Sequence, residues 1–170
     1  EYGWVLAWAP SDLTELKVPK EVSVLLSIGD NTVFNGSALT TVTFEAGRTK
    51  SLAVGPYIFY GAKKLVSIVL PDNTVSIGYN AFYNCTGLKE LVLPETVTEI
   101  GDRAFQGCKN LVKLVIPASV TIIGNQAFRN WQASQTIYVS FAEDAVPNTF
   151  NSYWEYSCYA KIVYNYTGEQ

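Results

Sequence analysis

The side chains in this sequence that could do chemistry are few, and their spacing argues against catalysis. Histidine is absent from all 170 residues, which removes the commonest general base, the usual metal ligand and any serine–histidine or cysteine–histidine pairing. The cysteines, Cys85, Cys108 and Cys158, are odd in number and imply no disulfide framework. Glu95, Glu99 and Asp102 are close enough in sequence to suggest an acid–base or metal cluster. They fall along one outward-looking segment with no partner one repeat away, and are read as solvated surface. No glycine-rich phosphate loop or nucleophile elbow is present. The expectation is a chain with no catalytic residue, no metal site and no cofactor.

Composition narrows the partners further. Apolar residues make up 48%, aromatics 14% and charged residues only 16%, against roughly 25% charge in an average soluble domain. The formal charge is -3 without a basic cluster, so the electrostatic footprint for nucleic acid or an anionic membrane is missing. No apolar run approaches the length of a membrane span, so membrane insertion is not expected. Glu1-Tyr2-Gly3-Trp4 lacks the basic start of a signal peptide, so an exported form would have lost its signal already.

The elements that position these residues follow from a repeat. Phe59, Phe82, Phe105 and Phe128 recur every 23 residues, each followed three positions later by Ala62, Cys85, Cys108 or Trp131. The runs Leu65 to Pro71, Leu88 to Pro94 and Leu111 to Pro117 are three copies of one line. A fourth begins at Ser134, and two earlier ones begin at Leu13 and Leu39, spaced by 26 residues. Within a copy, Leu91-Val92-Leu93 alternates with period two, the mark of a short strand whose leucines face inward. Proline then stops the ladder, and Val97 to Gly101 runs back across another face. Gly78, Gly101 and Gly124, with Gly29 and Gly55, share one corner, which calls for positive φ or for close approach between coils. Asp102-Arg103-Ala104-Phe105 and its equivalents are expected to form a short helical turn. No copy can bury its apolar face alone, so the copies must stack, with the phenylalanines in one column.

The phrase Leu-x-x-Leu-x-Leu-Pro-x-x-Val-x-x-Ile-Gly-x-x-Ala-Phe-x-x-Cys resembles the BspA-type bacterial leucine-rich repeat, most closely over residues 88 to 131. The resemblance implies an α/β leucine-rich-repeat solenoid, right-handed and mostly β, with a parallel sheet on one face and helical turns and extended segments on the others. One domain is expected over 1-170: an N-terminal cap or partial repeat over 1-12, six repeats over 13-139 and a C-terminal cap over 140-170. The cap is expected to hold a helix begun near Pro147, because Phe150, Trp154 and Cys158 recur at i, i+4 and i+8, followed by a strand near Lys161. Trp4 to Pro10 reads as a hairpin cap shielding the core with Trp4 and Trp8, or as the cut edge of a longer protein. The extra residues of the first two intervals predict bulges over residues 25 to 34 and 45 to 54.

On this frame the outward positions of the sheet are Lys17, Thr43, Val69, Val92, Val115 and Tyr138 in one column and Glu15, Thr41, Ser67, Glu90, Lys113 and Thr136 in the other. The predicted binding residues are Thr43, Ser67, Val69, Glu90, Val92, Lys113, Val115 and Tyr138, because stacked exposed valines tend to mark a contact surface. The same valines would suit any sheet surface. Cys85 and Cys108 fall at equivalent sites of adjacent coils, so they are either a disulfide staple or two buried thiols. The resemblance implies a secreted or cell-surface protein that attaches to a protein ligand such as a host extracellular matrix protein. The alternative is a structural spacer or self-associating unit of a larger surface appendage.

Overall fold

The computed structural model describes residues 4–6, 9–27 and 33–168. Its strands, in chain order, are β1 (Trp4–Leu6), β2 (Glu15–Val18), β3 (Val24–Ser27), β4 (Thr41–Phe44), β5 (Leu52–Val54), β6 (Ser67–Val69) and β7 (Thr74–Ile77). They continue with β8 (Glu90–Val92), β9 (Glu99–Ile100), β10 (Lys113–Ile116), β11 (Ile122–Ile123), β12 (Thr136–Val139) and β13 (Lys161–Val163). The strands alternate between two walls. One wall, the front, pairs β2-β4-β6-β8 and β10-β12-β13, and the other, the return wall, pairs β1-β3-β5-β7-β9-β11. All of the pairings are parallel.

A solenoid follows directly, since parallel neighbours must be joined by a crossover, and here each crossover is one coil. The register advances by one repeat, with Ser67 opposite Glu90 and Val69 opposite Val92. Between the walls lies a core of inward leucines, valines and isoleucines threaded by a phenylalanine column. Phe34, Phe59, Phe82, Phe105 and Phe128 are all fully buried, and successive rings stack with centroids 5.9, 5.2, 5.5 and 5.9 Å apart. Burying each such ring contributes about 1.5–3 kcal/mol, and offset stacking adds about 0.5–1.5 kcal/mol per pair.

The helical turns expected at the phenylalanine segments are not formed. Asn80, Arg103 and Gln126 take left-handed φ of 54°, 53° and 56°, and so do Asn84, Gly107 and Asn130 four residues on, which breaks any helical run. The amides are used in alternation. Those of Asn80, Phe82 and Asn84 donate to Asp102, Ala104 and Gln106 of the next coil, while those of Ala81, Tyr83 and Cys85 close tight turns onto Gly78, Asn80 and Phe82. Half the donors that a helix would spend on itself therefore join neighbouring coils. Asp102 behaves likewise, its Oδ1 accepting the amide of Asn125, one coil on, at 2.8 Å.

The C-terminal helix is corrected for the same reason. Among the described residues the only helical element is the 3-10 turn Glu143–Ala145. Residues 147–158 instead form one more coil segment, whose Tyr153 and Ser157 carbonyls accept the amides of Gln126 and Asn130 at 2.8 and 2.9 Å. The apolar stripe still closes the core. Phe150 and Trp154 are buried, Trp154 covers the edge of Phe128 at 5.9 Å, and β13 adds the expected last strand to the front wall.

At the other end, β1 lies parallel to β3, the place of a return strand and not of a hairpin. The side chains of Trp4 and Trp8, Gly29 and residues 28–32 of the first predicted bulge lie outside the described residues. The second bulge is seen: β5 and β7 slip register between Leu52 and Ala53. Arg48, in the extra loop, reaches back to the carbonyls of Pro19 and Val22. The shared glycines answer to close approach. Gly78, Gly101 and Gly124 have no positive φ, but a Cβ on any of them would strike the backbone of the preceding coil. Among the described residues no helix is long and apolar enough to cross a membrane.

Candidate functional site

The alternation of each front strand sends one set of side chains into the core and the other outward. Ile68, Leu91, Leu114 and Ile137 are buried, while all eight predicted binding residues stand on the outer side of the same wall. Thr43, Glu90 and Lys113 are exposed, and Ser67, Val115 and Tyr138 are half-buried. Val69 and Val92, opposite one another in register, are 82% and 79% exposed. Exposure of that degree is unusual for an apolar side chain, since each loses most of the transfer free energy of burial. Val66 and Val112, which the sequence reasoning missed, extend the strip at 42% and 56% exposure. Both sit one step before the strand, next to the buried Leu65 and Leu111 and out of phase with the alternation that turns Ile68 and Leu114 inward.

The strip does not run evenly to Tyr138 as expected. Beyond β13 the chain bends over the front wall, with the amide of Tyr166 donating to Val139 at 2.9 Å. Its ring packs on Tyr138 with centroids 4.8 Å apart. Lys113 Nζ lies 4.9 Å from the centre of the Tyr138 ring and 5.7 Å from that of Tyr166, a cation–π contact with both. The tail thus covers Tyr138. No local pattern in Tyr164 to Gly168 announces this.

Depressions mark the wall formed by the described residues. One of about 530 Å³ is lined by residues 41–48 and 67–73, and one of about 330 Å³ lies between Ser67–Leu70 and Glu90–Val92. Another of about 530 Å³ is bounded by residues 89–93, Lys113, Val115 and Tyr166. Val69 lines the first two and Val92 the last two. The surface is flanked by charge of both signs, Glu90 and Lys113 within it and the Lys17–Glu45 ion pair (3.4 Å) at its start.

The thiols are spent inside. Cys85 Sγ donates to the Phe59 carbonyl at 2.9 Å and Cys108 Sγ to the Phe82 carbonyl at 3.0 Å. One coil further, Trp131 Nε1 makes the equivalent bond to Phe105 at 2.8 Å. Cys85 and Cys108 are free and buried, so of the two readings of this pair the structure has the thiols. Desolvation drives both away from ionisation, Cys108 up to about 12 and Cys85 well above its ordinary value, the opposite of what a nucleophilic thiol needs. Burial raises Cys158 less strongly but in the same direction. Glu95, Glu99 and Asp102 are all exposed.

Parallel coils, short front strands, a glycine corner and a phenylalanine column together define a leucine-rich-repeat solenoid. The chain belongs to the BspA-type leucine-rich-repeat family, whose model matches residues 52–153 in six copies. No curated protein matches. Among solved structures the chain is similar to a leucine-rich repeat protein from Bacteroides ovatus (26% identity, TM-score 0.60), covering 94% of this chain and 42% of that one. It is also similar to a leucine-rich cell surface protein from Faecalibacterium prausnitzii (27% identity, TM-score 0.51), covering 75% of this chain and 39% of that one. The pneumococcal vaccine antigen PcpA shares the fold at 23% identity, TM-score 0.63, with 94% of this chain and 44% of that one covered. The chain thus spans less than half the length of each of these proteins.

Proposed function

We propose that this chain is a non-catalytic binding module that recognises a protein ligand with the outer side of its front wall, in a protein that is secreted or held at the cell surface. The observation that carries the reading is the pair Val69 and Val92, four-fifths exposed and lining depressions on one wall. Extended solenoid surfaces serve recognition in this way, and central apolar anchors ringed by polar groups supply most of the affinity of an interface. Thr43, Ser67, Glu90 and Lys113 provide the polar ring, and Val115 and Tyr138 the end where the tail covers Tyr138. The description of the Faecalibacterium relative as a cell surface protein supports the location, and a host extracellular matrix protein is the ligand class proposed.

Burial of each valine by a ligand would contribute about 1.5–3 kcal/mol, so the double substitution Val69→Asp/Val92→Asp should weaken binding about a hundredfold or more. Surface plasmon resonance against purified fibronectin, fibrinogen, laminin and collagen measures this. A double variant that keeps wild-type affinity for every protein the wild-type chain binds would remove this wall from consideration.

A second reading, a self-assembling or spacer unit, is favoured by β13, which among the described residues has a partner strand on one side only and so presents an edge to another strand. Sedimentation velocity from micromolar to millimolar concentration decides it, since a monomer throughout excludes assembly of this chain.

A further inference from the structure

The phenylalanine segments also build a surface of their own, and its character changes along the stack. Toward the start it is tyrosine: the rings of Tyr60 and Tyr83 lie face to face, 4.6 Å apart at 3°, and Tyr57 meets Tyr79 edge-on at 5.0 Å. In the following coils the same phases carry arginine, Arg103 in the place of Tyr57 and Asn80, and Arg129 in the place of Tyr60 and Tyr83. Arg103 Nε and Arg129 Nη1 converge on one neutral oxygen, Gln126 Oε1, at 3.1 and 3.2 Å. Two guanidinium charges are thereby held side by side. Among the described residues neither has a carboxylate within ion-pair distance, the single such pair being Lys17–Glu45. Arg129 Nε is buried with no acceptor. Arg103 also reaches the side chain of Tyr79, which joins the cationic part of the surface to the aromatic part.

We propose that this turn face binds an acidic saccharide, its carboxylate or sulfate held between Arg103 and Arg129 and a neighbouring sugar ring lying along Tyr79 and Tyr83. An oxyanion supplies what the arrangement lacks: planar, bidentate acceptors for two guanidinium forks and a negative charge between two positive ones. Half-exposed tyrosines offer an apolar ring face with a hydroxyl at its edge, the match for a sugar ring. An extended acidic peptide is the poorer fit, because the backbone amides of residues 80–85 and 103–108 are all bonded within and between coils and leave no donors for strand pairing. With a net charge of -3 the chain has no general attraction for polyanions, so recognition here is local.

The test is isothermal titration calorimetry with four probes: a heparin-derived sulfated hexasaccharide, a hexagalacturonate, neutral maltohexaose and hexaglutamate. At least one acidic oligosaccharide should bind at least about tenfold more tightly than maltohexaose and hexaglutamate. The tighter of the two acidic sugars identifies the group as sulfate or carboxylate. Arg103→Gln/Arg129→Gln should reduce that affinity at least about tenfold, whereas Val69→Asp/Val92→Asp should leave it unchanged, which separates this site from the front wall. The side-chain Nε–H resonances of Arg103 and Arg129 in the wild-type chain should shift on titration, a readout that does not depend on how any variant folds. Absence of binding by both acidic sugars, equal binding of hexaglutamate, or arginine resonances that stay in place would overturn the proposal.

Discussion

Gly101→Ala adds one methyl group, and the solenoid fixes the sign of its effect. Gly101 has no positive φ, so alanine suits its backbone, and in open space the change would stabilise the chain by about 0.4–1 kcal/mol by restricting the unfolded state. The space is not open. A Cβ there would lie 2.7 Å from the amide nitrogen of Tyr79 and 2.8 Å from the carbonyl carbon of Gly78, where unbonded carbons settle at about 3.5–4.0 Å. Both neighbours are backbone, so neither can rotate away. Relief requires the two coils to part, which strains the bonds that tie them at this corner, Gly101 N to Ile77 O at 2.8 Å and Asn80 N to Asp102 O at 2.9 Å. Overpacking of this kind costs about 1–3 kcal/mol, and a chain of this size loses about 2–4 °C of melting temperature per kcal/mol. Circular dichroism melting should therefore show a fall of several degrees. Gly47→Ala is the control in open surroundings: φ is 75° and nothing lies within 4 Å of the added atom, so only the left-handed backbone opposes it, at about 1 kcal/mol. A Gly101→Ala chain as stable as wild type or more so would refute close packing of coils as the reason for the glycine corner.

Phe105→Ala removes a ring stacked on both sides and should cost about 3–5 kcal/mol in urea unfolding, whereas Val92→Ala, on the exposed wall, should change stability by less than about 0.5 kcal/mol. In the native chain a thiol reagent should label Cys158, which is half-buried, well before Cys85 or Cys108, and mass spectrometry of the labelled peptides reads the order. The thiol of Cys108, raised from 9.0 to about 12, stays protonated in the folded chain while the unfolded chain ionises. Its contribution is therefore complete below about pH 9 and is lost as the pH climbs toward 12, at about 1.4 kcal/mol per pH unit. Cys108→Ala should make the alkaline fall in stability shallower, measured as urea midpoints at successive pH values.

What the sequence made legible was burial. Leucine and phenylalanine at fixed intervals state which side chains face inward whatever the backbone does between them, and the front strands, the column of rings and the outward valines all follow from that. The turn segments were not legible, because Asp102-Arg103-Ala104-Phe105 has the polar start and apolar spacing of a helix. What decides against one is the left-handed backbone at Arg103 and the carbonyls waiting on the next coil, and neither is a property of the segment itself. Phe150, Trp154 and Cys158 misled in the same way, since a spacing of four places residues on one side of a coil segment as well as of a helix. The cover that Tyr166 gives to Tyr138 depends on where the chain travels after β13, and only the assembled wall determines that.

The donors borne by Cys85, Cys108 and Trp131 give the stack a direction. Each brings a second donor to a phenylalanine carbonyl of the coil before it, which already accepts the amide three residues on in its own coil, so a coil keeps a spare lone pair until its successor has docked. Growth from the N-terminal side is then a relay in which each newcomer completes the one already in place. Trimming coils from the C-terminal side removes that second donor and leaves turn amides such as those of Asn80, Phe82 and Asn84 without acceptors, whereas trimming from the other side leaves the matching carbonyls of Asp102, Ala104 and Gln106 without donors.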